Sequence, residues 1–386
     1  MIQTESEFTK LRWWVTILGL LFYLADILTD VALSVSFFRG EYLLWAGLTV
    51  LFVVVGSMVT QIFSYTWYRD DMRNTLVQTG TYQKMGGLVG IHVTQMGMFN
   101  RYYWLLRMGH RVLWSRPPVP VDDSRDFHLH LFGQAADLSM LKLFETFLES
   151  SPQLLLQLYI MLSSNHWSML QCVSMAFSLV NIAWALVDYR RCLRRSLSKV
   201  REMPCGFPTL FYFLYKLFTI TSHILCISLF LVVSPFSLLG LAGLGLAGTL
   251  WACQVQTDFC KSKSLEVLYR IVVGIILVFT FFNVKGQNTR GHMSVYYLLY
   301  GLVNFSGPCL LILVKPDMGA KEFFWPMTGV IFGGTLLGLG CLCLFYSCLH
   351  PTGNPMEADE VDGSMDQDDE AEKPETQTRI RSFLQL

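Results

Sequence analysis

Long runs of apolar residues with almost no charged side chains are the feature that most constrains the fold of this chain. Several runs reach the roughly 20 residues that an α-helix needs to cross the hydrocarbon core of a bilayer. Charged residues make up only 15% of the chain, against roughly 25% in an ordinary soluble protein. The sequence therefore predicts an all-α polytopic membrane protein and excludes a soluble fold around one core.

Ten segments are candidates for helices, although not all of them need to span the membrane. They are residues 13–37, 43–68, 85–106, 137–163, 167–188, 207–234, 236–253, 265–284, 294–314 and 324–349. The third contains several glycines and polar side chains, and the eighth begins with Glu266 and Arg270. These two are the weakest candidates for a lipid-facing span.

Basic residues between the segments predict which loops face the cytoplasm, because lysine and arginine concentrate on that side. The richest basic cluster lies within residues 190–201, and further basic residues flank both ends of the third and eighth candidates. If those two helices enter the membrane and return, all of these clusters are cytoplasmic. We therefore predict eight transmembrane helices and two partially inserted re-entrant helices in two pseudo-symmetric halves. Both termini are then cytoplasmic, and no cleavable signal peptide is expected.

The chain divides into four predicted regions. They are an N-terminal membrane half (1–190), a basic cytoplasmic linker (191–206), a C-terminal membrane half (207–349) and an acidic cytoplasmic tail (350–386). The whole chain has no net charge, but residues 351–386 contain ten acidic and three basic residues. The tail therefore has a net charge of −7 and the remainder +7, and this balance argues against a strongly basic nucleic-acid binder.

Six charged side chains of the N-terminal half lie inside predicted helices or at their ends. They are Asp26, Asp30, Lys142, Glu145, Glu149 and Asp188. An ionised group in the bilayer costs several kcal/mol, so each one needs an explanation. The spacing places Asp26 with Asp30, and Glu145 with Glu149, on one face of their helices. At about 1.5 Å of rise per residue, the six groups form a ladder across the bilayer.

The ladder has three interpretations on sequence alone. It is a hydrophilic groove that lets a polar lipid headgroup cross, a set of ion pairs that stabilises the helix bundle, or a calcium site made of carboxylate oxygens. The excess of carboxylates over lysine favours the groove. Pro152, shortly after Glu149, is expected to kink or break the fourth helix because proline lacks a backbone donor. The freed carbonyl groups would face the same polar interior.

Residue patterns typical of catalysis or cofactor binding are not recognisable in the sequence. It contains no evident Ser/His/Asp or Cys/His arrangement and no phosphate-binding loop. The ten cysteines include no Cys-x-x-Cys pair, which argues against a zinc site or a disulfide framework. We therefore predict no catalytic residue, no metal and no cofactor.

The acidic tail contains the string Asp359-Glu360-Val361-Asp362, followed by Gly363. This string is similar to the preferred cleavage sequence of executioner caspases, which hold the terminal aspartate through arginine. A polar tail with few aromatic residues cannot form its own core, so the bond after Asp362 would be accessible. The hypothesis is that the intact tail docks on the basic cytoplasmic face and blocks the helix bundle. The alternative is an acidic linker that matches the string by chance.

Four strings resemble the XK-related family of membrane proteins. They are Asp26–Asp30 (DILTD), Asp137–Leu154 (DLSMLKLFETFLESSPQL), Trp184–Asp188 (WALVD) and Phe281–Arg290 (FFNVKGQNTR). The resemblance covers nearly the whole chain. It implies a phospholipid scramblase of the plasma membrane that caspases activate and that exposes phosphatidylserine on apoptotic cells. It also implies eight spanning and two partial helices, with the caspase site in the tail.

The resemblance maps the family's intramembrane acidic residues onto Asp26, Asp30, Glu145, Glu149 and Asp188. Some relatives have arginine where this chain has Lys142, and a lysine cannot form the same bidentate contact. A single-span immunoglobulin-type chaperone is a further partner that the resemblance suggests, because one relative needs such a subunit to reach the cell surface.

For a scramblase, the acidic groups would hydrate the groove, while Lys142 and Arg190 would contact the lipid phosphate near the inner surface. No nucleotide-binding pattern is present, so lipid would move down its own gradient. Two other classes of function stay open. One is a membrane scaffold that recruits a lipid-transfer partner, and the other is a cation channel or solute carrier.

Overall fold

The computed structural model describes residues 8–79, 85–114, 121–164, 169–196, 206–255, 257, 259, 260, 262–283 and 290–349. Every regular element among these residues is a helix, which confirms the predicted all-α class. The α-helices are α1 (Lys10–Arg39), α2 (Leu43–Thr79), α3 (Met85–Val93), α4 (Gly97–Trp114), α5 (Val121–Glu145), α6 (Ser151–Ser164), α7 (Met169–Ser196), α8 (Phe207–Val233), α9 (Ser237–Gln254), α10 (Lys263–Phe279), α11 (Arg290–Val314) and α12 (Phe324–Leu344). A 3₁₀ helix follows α11 at Pro316–Ala320, and single π-helical turns occupy Thr146–Ser150 and Phe345–Leu349.

Seven of the described helices are long and apolar enough to cross a membrane. They are Lys10–Arg39, Leu43–Asp71, Met169–Cys192, Phe207–Val233, Ser237–Gln254, Arg290–Val314 and Phe324–Leu349. Neither half of the third predicted segment (α3 and α4) nor the eighth (α10) meets this criterion. The fourth segment, α5 to α6, contains three of the six charged ladder residues and does not meet the criterion either. The multi-pass architecture is thus confirmed, while the number of eight spans stays a prediction.

The third predicted segment is two helices instead of one. Helix α3 ends at Val93 and α4 begins at Gly97, because Gln95 adopts a left-handed backbone conformation with φ of 63°. Residue 97 must be glycine, since an added Cβ atom would collide with the side chains of Gln61 and His92. The segment is therefore a short hairpin, and this hairpin packs against α2.

The described residues form two compact units. The first contains the described residues of 8–149 together with 188–196, and the second contains those of 150–187 and 206–349. In the first unit, α1 and α5 each pack against α2 and α4. In the second, α8 packs against α6, α11 and α12, and α9 pairs with α10. The division into membrane halves 1–190 and 207–349 stays a prediction.

Glycines allow α9 and α10 of the second unit to approach closely. A Cβ atom on Gly274 would lie 2.6 Å from the backbone oxygen of Gly245, and one on Gly248 would lie 3.2 Å from the Gly274 backbone. Small residues at such positions let helices meet in a membrane, where no hydrophobic force drives them together. The glycine-rich run of α9 thus serves helix packing.

Buried polar side chains of the second unit are bound to neighbouring helices. The ring nitrogens of His223 lie 3.1 Å from Asn304 Oδ1 and 3.1 Å from the Val278 carbonyl oxygen. The Lys216 amine donates to Thr280 Oγ1 at 3.0 Å and to the Phe281 carbonyl at 3.3 Å. A cation at the carboxyl end of α10 complements the negative end of the helix dipole. Both ring nitrogens of His223 thus lie within hydrogen-bond distance of a partner, as expected for an interior histidine that serves packing.

Candidate functional site

Helix α1 is amphipathic in the reverse sense of a soluble helix. Its buried residues recur every three or four positions and are mostly polar: Arg12, Thr16, Tyr23, Asp26, Asp30, Leu33 and Phe37. The large side chains exposed between residues 11 and 38 are apolar: Leu11, Trp14, Leu18, Leu21, Leu24, Leu28, Val31, Val35 and Phe38. This arrangement suits a helix whose outer face contacts lipid tails and whose inner face lines a polar interior.

The polar stripe of α1 is long enough to cross the hydrocarbon core. Arg12 and Asp30 are eighteen residues apart, which is roughly 27 Å along a helix at 1.5 Å per residue. The hydrocarbon core of a typical bilayer is about 30 Å thick. The stripe therefore places titratable groups near the surface and deep within the span.

Helix α5 supplies the other side of the ladder. Every residue from 138 to 151 is buried, including Lys142, Glu145 and Glu149. Glu149 lies in the π-helical turn Thr146–Ser150, which directly precedes Ser151 and Pro152. The departure from α-helical geometry thus lies where the sequence predicts a kink, and the helix continues beyond it as α6. Because proline has no backbone N–H, it cannot complete the α-helical hydrogen bond to the carbonyl four residues earlier.

Lys142 is the central cation of the ladder. Its Nζ atom lies 3.0 Å from Glu145 Oε2 and 3.8 Å from Asp26 Oδ2. The same amine lies 5.1 Å from the centroid of the Tyr23 ring, within cation–π distance. Lys142, Glu145 and Asp26 are 7%, 5% and 3% exposed. A buried ion-pair network therefore joins α1 to α5 at the level of Lys142.

Asp30 and Glu149 form the next step of the ladder. Their side chains are close enough to interact with each other, and they are 4% and 3% exposed. Helix α2 closes on this pair at Gly56, where an added Cβ atom would lie 2.8 Å from Glu149 Cβ and 3.1 Å from Glu149 Oε2. The absence of a side chain at position 56 thus leaves the space that Glu149 occupies.

Arg12 and Asp188 form the last step, at the other end of the ladder. Arg12 Nη1 lies 2.7 Å from Asp188 Oδ1, and Arg12 Nη2 donates to the sulfur of Cys192 one turn further along α7. The Cys192 thiol in turn lies 3.8 Å from Asp188 Oδ1. Asp188 is predicted from the sequence, whereas Arg12 is missed. Extending the stripe of Tyr23, Asp26 and Asp30 backward along α1 by threes and fours reaches Arg12.

The structure thus brings all six predicted ladder residues into the first unit, in contact with partners from other helices or from their own. Arg190 is also buried, at 8% exposure, but two residues place it about 200° around α7 from Asp188. It therefore does not share the helix face of the ladder. The string Asp359–Gly363 lies outside the described residues. Among the described residues, no three His, Cys, Asp or Glu side chains converge as metal ligands.

Two side chains of α4 complete the surroundings of the ladder. Tyr102 stacks on Tyr23 with ring centroids 5.9 Å apart and an interplanar angle of 25°. Neighbouring Arg101 is 2% exposed and lies 3.5 Å from Asp137 of α5. The polar character of this segment is evident from the sequence, but neither Arg101 nor Tyr102 is assigned a role by it. No local pattern indicates them, because it is the turn at Gln95 that brings α4 against α1 and α5.

Comparison with known proteins shows the family to which this chain belongs. A family model described as XK-related protein matches residues 14–351. This chain belongs to the XK-related family. XK-related protein 9 of Tetraodon nigroviridis is 49% identical over 384 residues, which cover 98% of this chain and 99% of that protein. XK-related protein 8 of the same organism is 34% identical over 352 residues, covering 87% and 83% of the two chains. XK-related protein 8 of Pan troglodytes is 33% identical over 357 residues, covering 90% and 86%.

The XK-related match includes all six ladder residues: two on α1, two on α5, Glu149 in the π-helical turn and Asp188 on α7. It ends at residue 351, so nearly all of the acidic tail lies beyond the region that the family model covers. The similarity to XK-related protein 9 covers 98% of this chain and therefore takes in most of the tail.

Proposed function

We propose that this XK-related protein is a phospholipid scramblase, an ATP-independent transporter that moves lipids down their gradient between the leaflets of the plasma membrane. The observation that supports the proposal is the ladder: buried charges at successive depths, on helices whose outer faces are apolar. Buried charge is costly in a membrane and usually marks a path for a polar substrate. The polar substrate that a bilayer itself supplies is the lipid headgroup.

In this mechanism, the headgroup moves past the ladder while the acyl chains stay in the bilayer. Carboxylates and the hydroxyl groups of Thr16 and Tyr23 replace the water that the headgroup loses, which lowers the barrier of an uncatalysed flip. The ladder acts as a substitute for solvent and transfers no group. Lys142 attracts the lipid phosphate as the headgroup passes.

The described arrangement corresponds to a closed state of this path. Asp26, Asp30, Glu145 and Glu149 are each 5% exposed or less. Lys142 is already paired with two carboxylates. A lipid phosphate must therefore displace an internal partner before it binds the amine. Lipid transport accordingly needs a step that opens the ladder.

We assign that step to cleavage of the tail after Asp362 by an executioner caspase. Removal of residues 363–386 would release the tail from the basic cytoplasmic face and shift the closed–open equilibrium. The outcome in an apoptotic cell is exposure of phosphatidylserine at the surface. Both termini are cytoplasmic in this proposal, and a single-span immunoglobulin-type chaperone is a partner for delivery to the plasma membrane.

The decisive experiment uses purified full-length protein and protein cut after Asp362, each in liposomes with a fluorescent phospholipid. Dithionite quenches only the outer leaflet, so a scramblase lowers the protected fraction below one half. Fast flipping in the cut sample alone supports both the transport activity and inhibition by the tail. Ion currents without lipid movement would instead support the channel class. If neither sample shows lipid flipping or ion currents, with or without a lipid-transfer partner, the proposal is contradicted.

A further inference from the structure

The N-terminal half of α4 covers the ladder. The Tyr23 ring lies 5.1 Å from the amine of Lys142, and Tyr102 stacks on that ring. Its phenol also lies over Gly19, where an added Cβ atom would be 3.4 Å from the Tyr102 oxygen. Tyr102 is 4% exposed. This one side chain therefore covers the Tyr23 ring beside the Lys142 step of the ladder.

Polar contacts of one arginine hold this end of α4 in place. Arg101 Nε donates to Ser64 Oγ at 2.9 Å, and Arg101 Nη2 donates to the Ser64 carbonyl at 3.1 Å. Its guanidinium lies 4.0 Å from the centroid of the Tyr68 ring. With the ion pair to Asp137, Arg101 joins α4 to both α2 and α5. Arg101 thus holds the part of α4 that contains Tyr102.

Two further polar contacts join this end to α2 and to the hairpin turn. The backbone N–H of Gly97 donates to Gln61 Oε1 at 3.2 Å, and Gln61 Nε2 donates to the Gln95 carbonyl at 3.2 Å. At the other end of α4, the rings of Phe8 and Trp13 lie against Gly109, and Trp13 Nε1 donates to the Leu106 carbonyl at 2.9 Å. The contacts at Gly97 and Arg101 and those at Gly109 are therefore at opposite ends of α4.

Helix α4 is also the shortest helix around the ladder. It has 18 residues, against 30 in α1, 37 in α2 and 25 in α5. One of its faces is exposed, with Phe99, Tyr103 and Trp104 on the surface. A short helix with one exposed face can move without breaking the packing of the three longer helices on one another.

We propose that Arg101 is a positioning residue that holds α4 closed over the ladder, and that the path opens when the N-terminal half of α4 swings Tyr102 away. This inference rests on the proposed function for its meaning in lipid transport. The movement itself is independent of that function. Arg101 contacts no lipid in this account and acts through Tyr102.

The native thiol of Cys192 is a probe of the movement that needs no lipid assay. It is 4% exposed and bound to Arg12, which lies on α1 about two turns before Gly19, the residue that Tyr102 covers. The experiment measures its modification by a membrane-impermeant methanethiosulfonate in full-length protein in liposomes, resolved by mass spectrometry. Cys226 of the second unit, 1% exposed, is the internal control for unfolding.

Three variants and a matched control test the role of Arg101. Arg101→Gln removes the charge, Arg101→Lys keeps the charge but not the planar fork, and Ser64→Ala removes an acceptor without emptying the arginine site. Thr60→Ala is the control, because the Thr60 hydroxyl donates only to the Gly56 and Ser57 carbonyls of its own helix in the described contacts. It lies one turn before Ser64 and is equally buried.

We expect Cys192 to react about tenfold faster in Arg101→Gln, since this variant loses the charge-assisted hydrogen bonds that hold α4 closed. Ser64→Ala and Arg101→Lys should show the same change to a smaller extent, and Thr60→Ala none. Flipping should rise in the same order. If Arg101→Gln unfolds, Cys226 also becomes reactive, and the comparison of Ser64→Ala with Thr60→Ala decides.

Wild-type reactivity of Cys192 in both Arg101→Gln and Ser64→Ala would overturn the inference. Faster Cys192 modification without flipping in any sample, the cut wild type included, would instead leave the movement of α4 established and remove the proposed function. The two failures are therefore distinguishable.

Discussion

The amine of Lys142 lies 3.0 Å from the carboxylate of Glu145, three residues along the same buried helix. The pair would stabilise the helix bundle in the same way if it had no transport function, so the contact alone does not separate a path from a structural network. What separates them is the response to neutralisation. A structural pair affects stability, whereas a path residue also affects lipid movement in protein that remains folded.

Removal of the central cation should destabilise the protein. In Lys142→Met, the carboxylates of Glu145 and Asp26 lose their shared partner, and breaking a buried pair costs about 3–5 kcal/mol. Lys142→Arg should lose much less because it keeps the charge. Thermal unfolding of detergent-purified protein measures the difference. Lys315→Met is the control, since Lys315 is exposed and donates to the Val233 carbonyl. Equal stability of Lys142→Met and Lys315→Met would contradict the ion-pair network.

Neutral isosteres of the ladder carboxylates should slow lipid transport. Asp26→Asn and Glu145→Gln keep the size of each side chain but weaken its interaction with headgroup cations and with water. We expect flipping by the cut protein to fall about tenfold or more, the effect of about 1.4 kcal/mol on a barrier. Thr29→Ala is the control, because the Thr29 hydroxyl donates to the Asp26 carbonyl of its own helix. Unchanged flipping in both folded carboxylate variants would exclude the ladder as the lipid path.

A side chain at position 56 should disturb the deep end of the ladder. In Gly56→Ala, the new Cβ atom would lie 2.8 Å from Glu149 Cβ, and overpacking of this kind costs about 1–3 kcal/mol. Gly47→Ala on the same helix is the matched control, because an added Cβ atom there meets nothing within 4 Å. The control should be neutral or slightly stabilising, since alanine favours helix over glycine. Thermal unfolding of the two variants side by side measures the contrast, and equal melting temperatures would show that α2 does not press on Glu149.

Activation should depend on a single tail residue. Asp362→Ala removes the carboxylate that a caspase holds through arginine, so we expect neither cleavage nor flipping after caspase treatment. Asp366→Ala, four residues outside the string, should be cut and activated normally. Gel electrophoresis and the dithionite assay on the same samples measure both steps. Flipping by treated, uncut Asp362→Ala would show that cleavage at this bond is not the trigger.

Much of the fold follows from the sequence alone. Apolar runs and the periodicity of polar residues within one helix are local properties of the chain. They are sufficient to predict the all-α membrane class and the shared faces of Asp26 with Asp30 and of Glu145 with Glu149. The departure from α-helical geometry near Pro152 is equally local, because one missing backbone donor causes it.

The tertiary structure alone decides which faces meet. Arg12 and Asp188 are 176 residues apart, and their ion pair depends on how α1 and α7 are placed by every helix between them. The left-handed residue Gln95 divides the third segment and turns α4 back over the ladder, which brings Arg101 to Ser64 and Tyr102 to Tyr23. Periodicity specifies the polar face of a helix but not its partner, because the partner is selected by packing between segments distant in the chain.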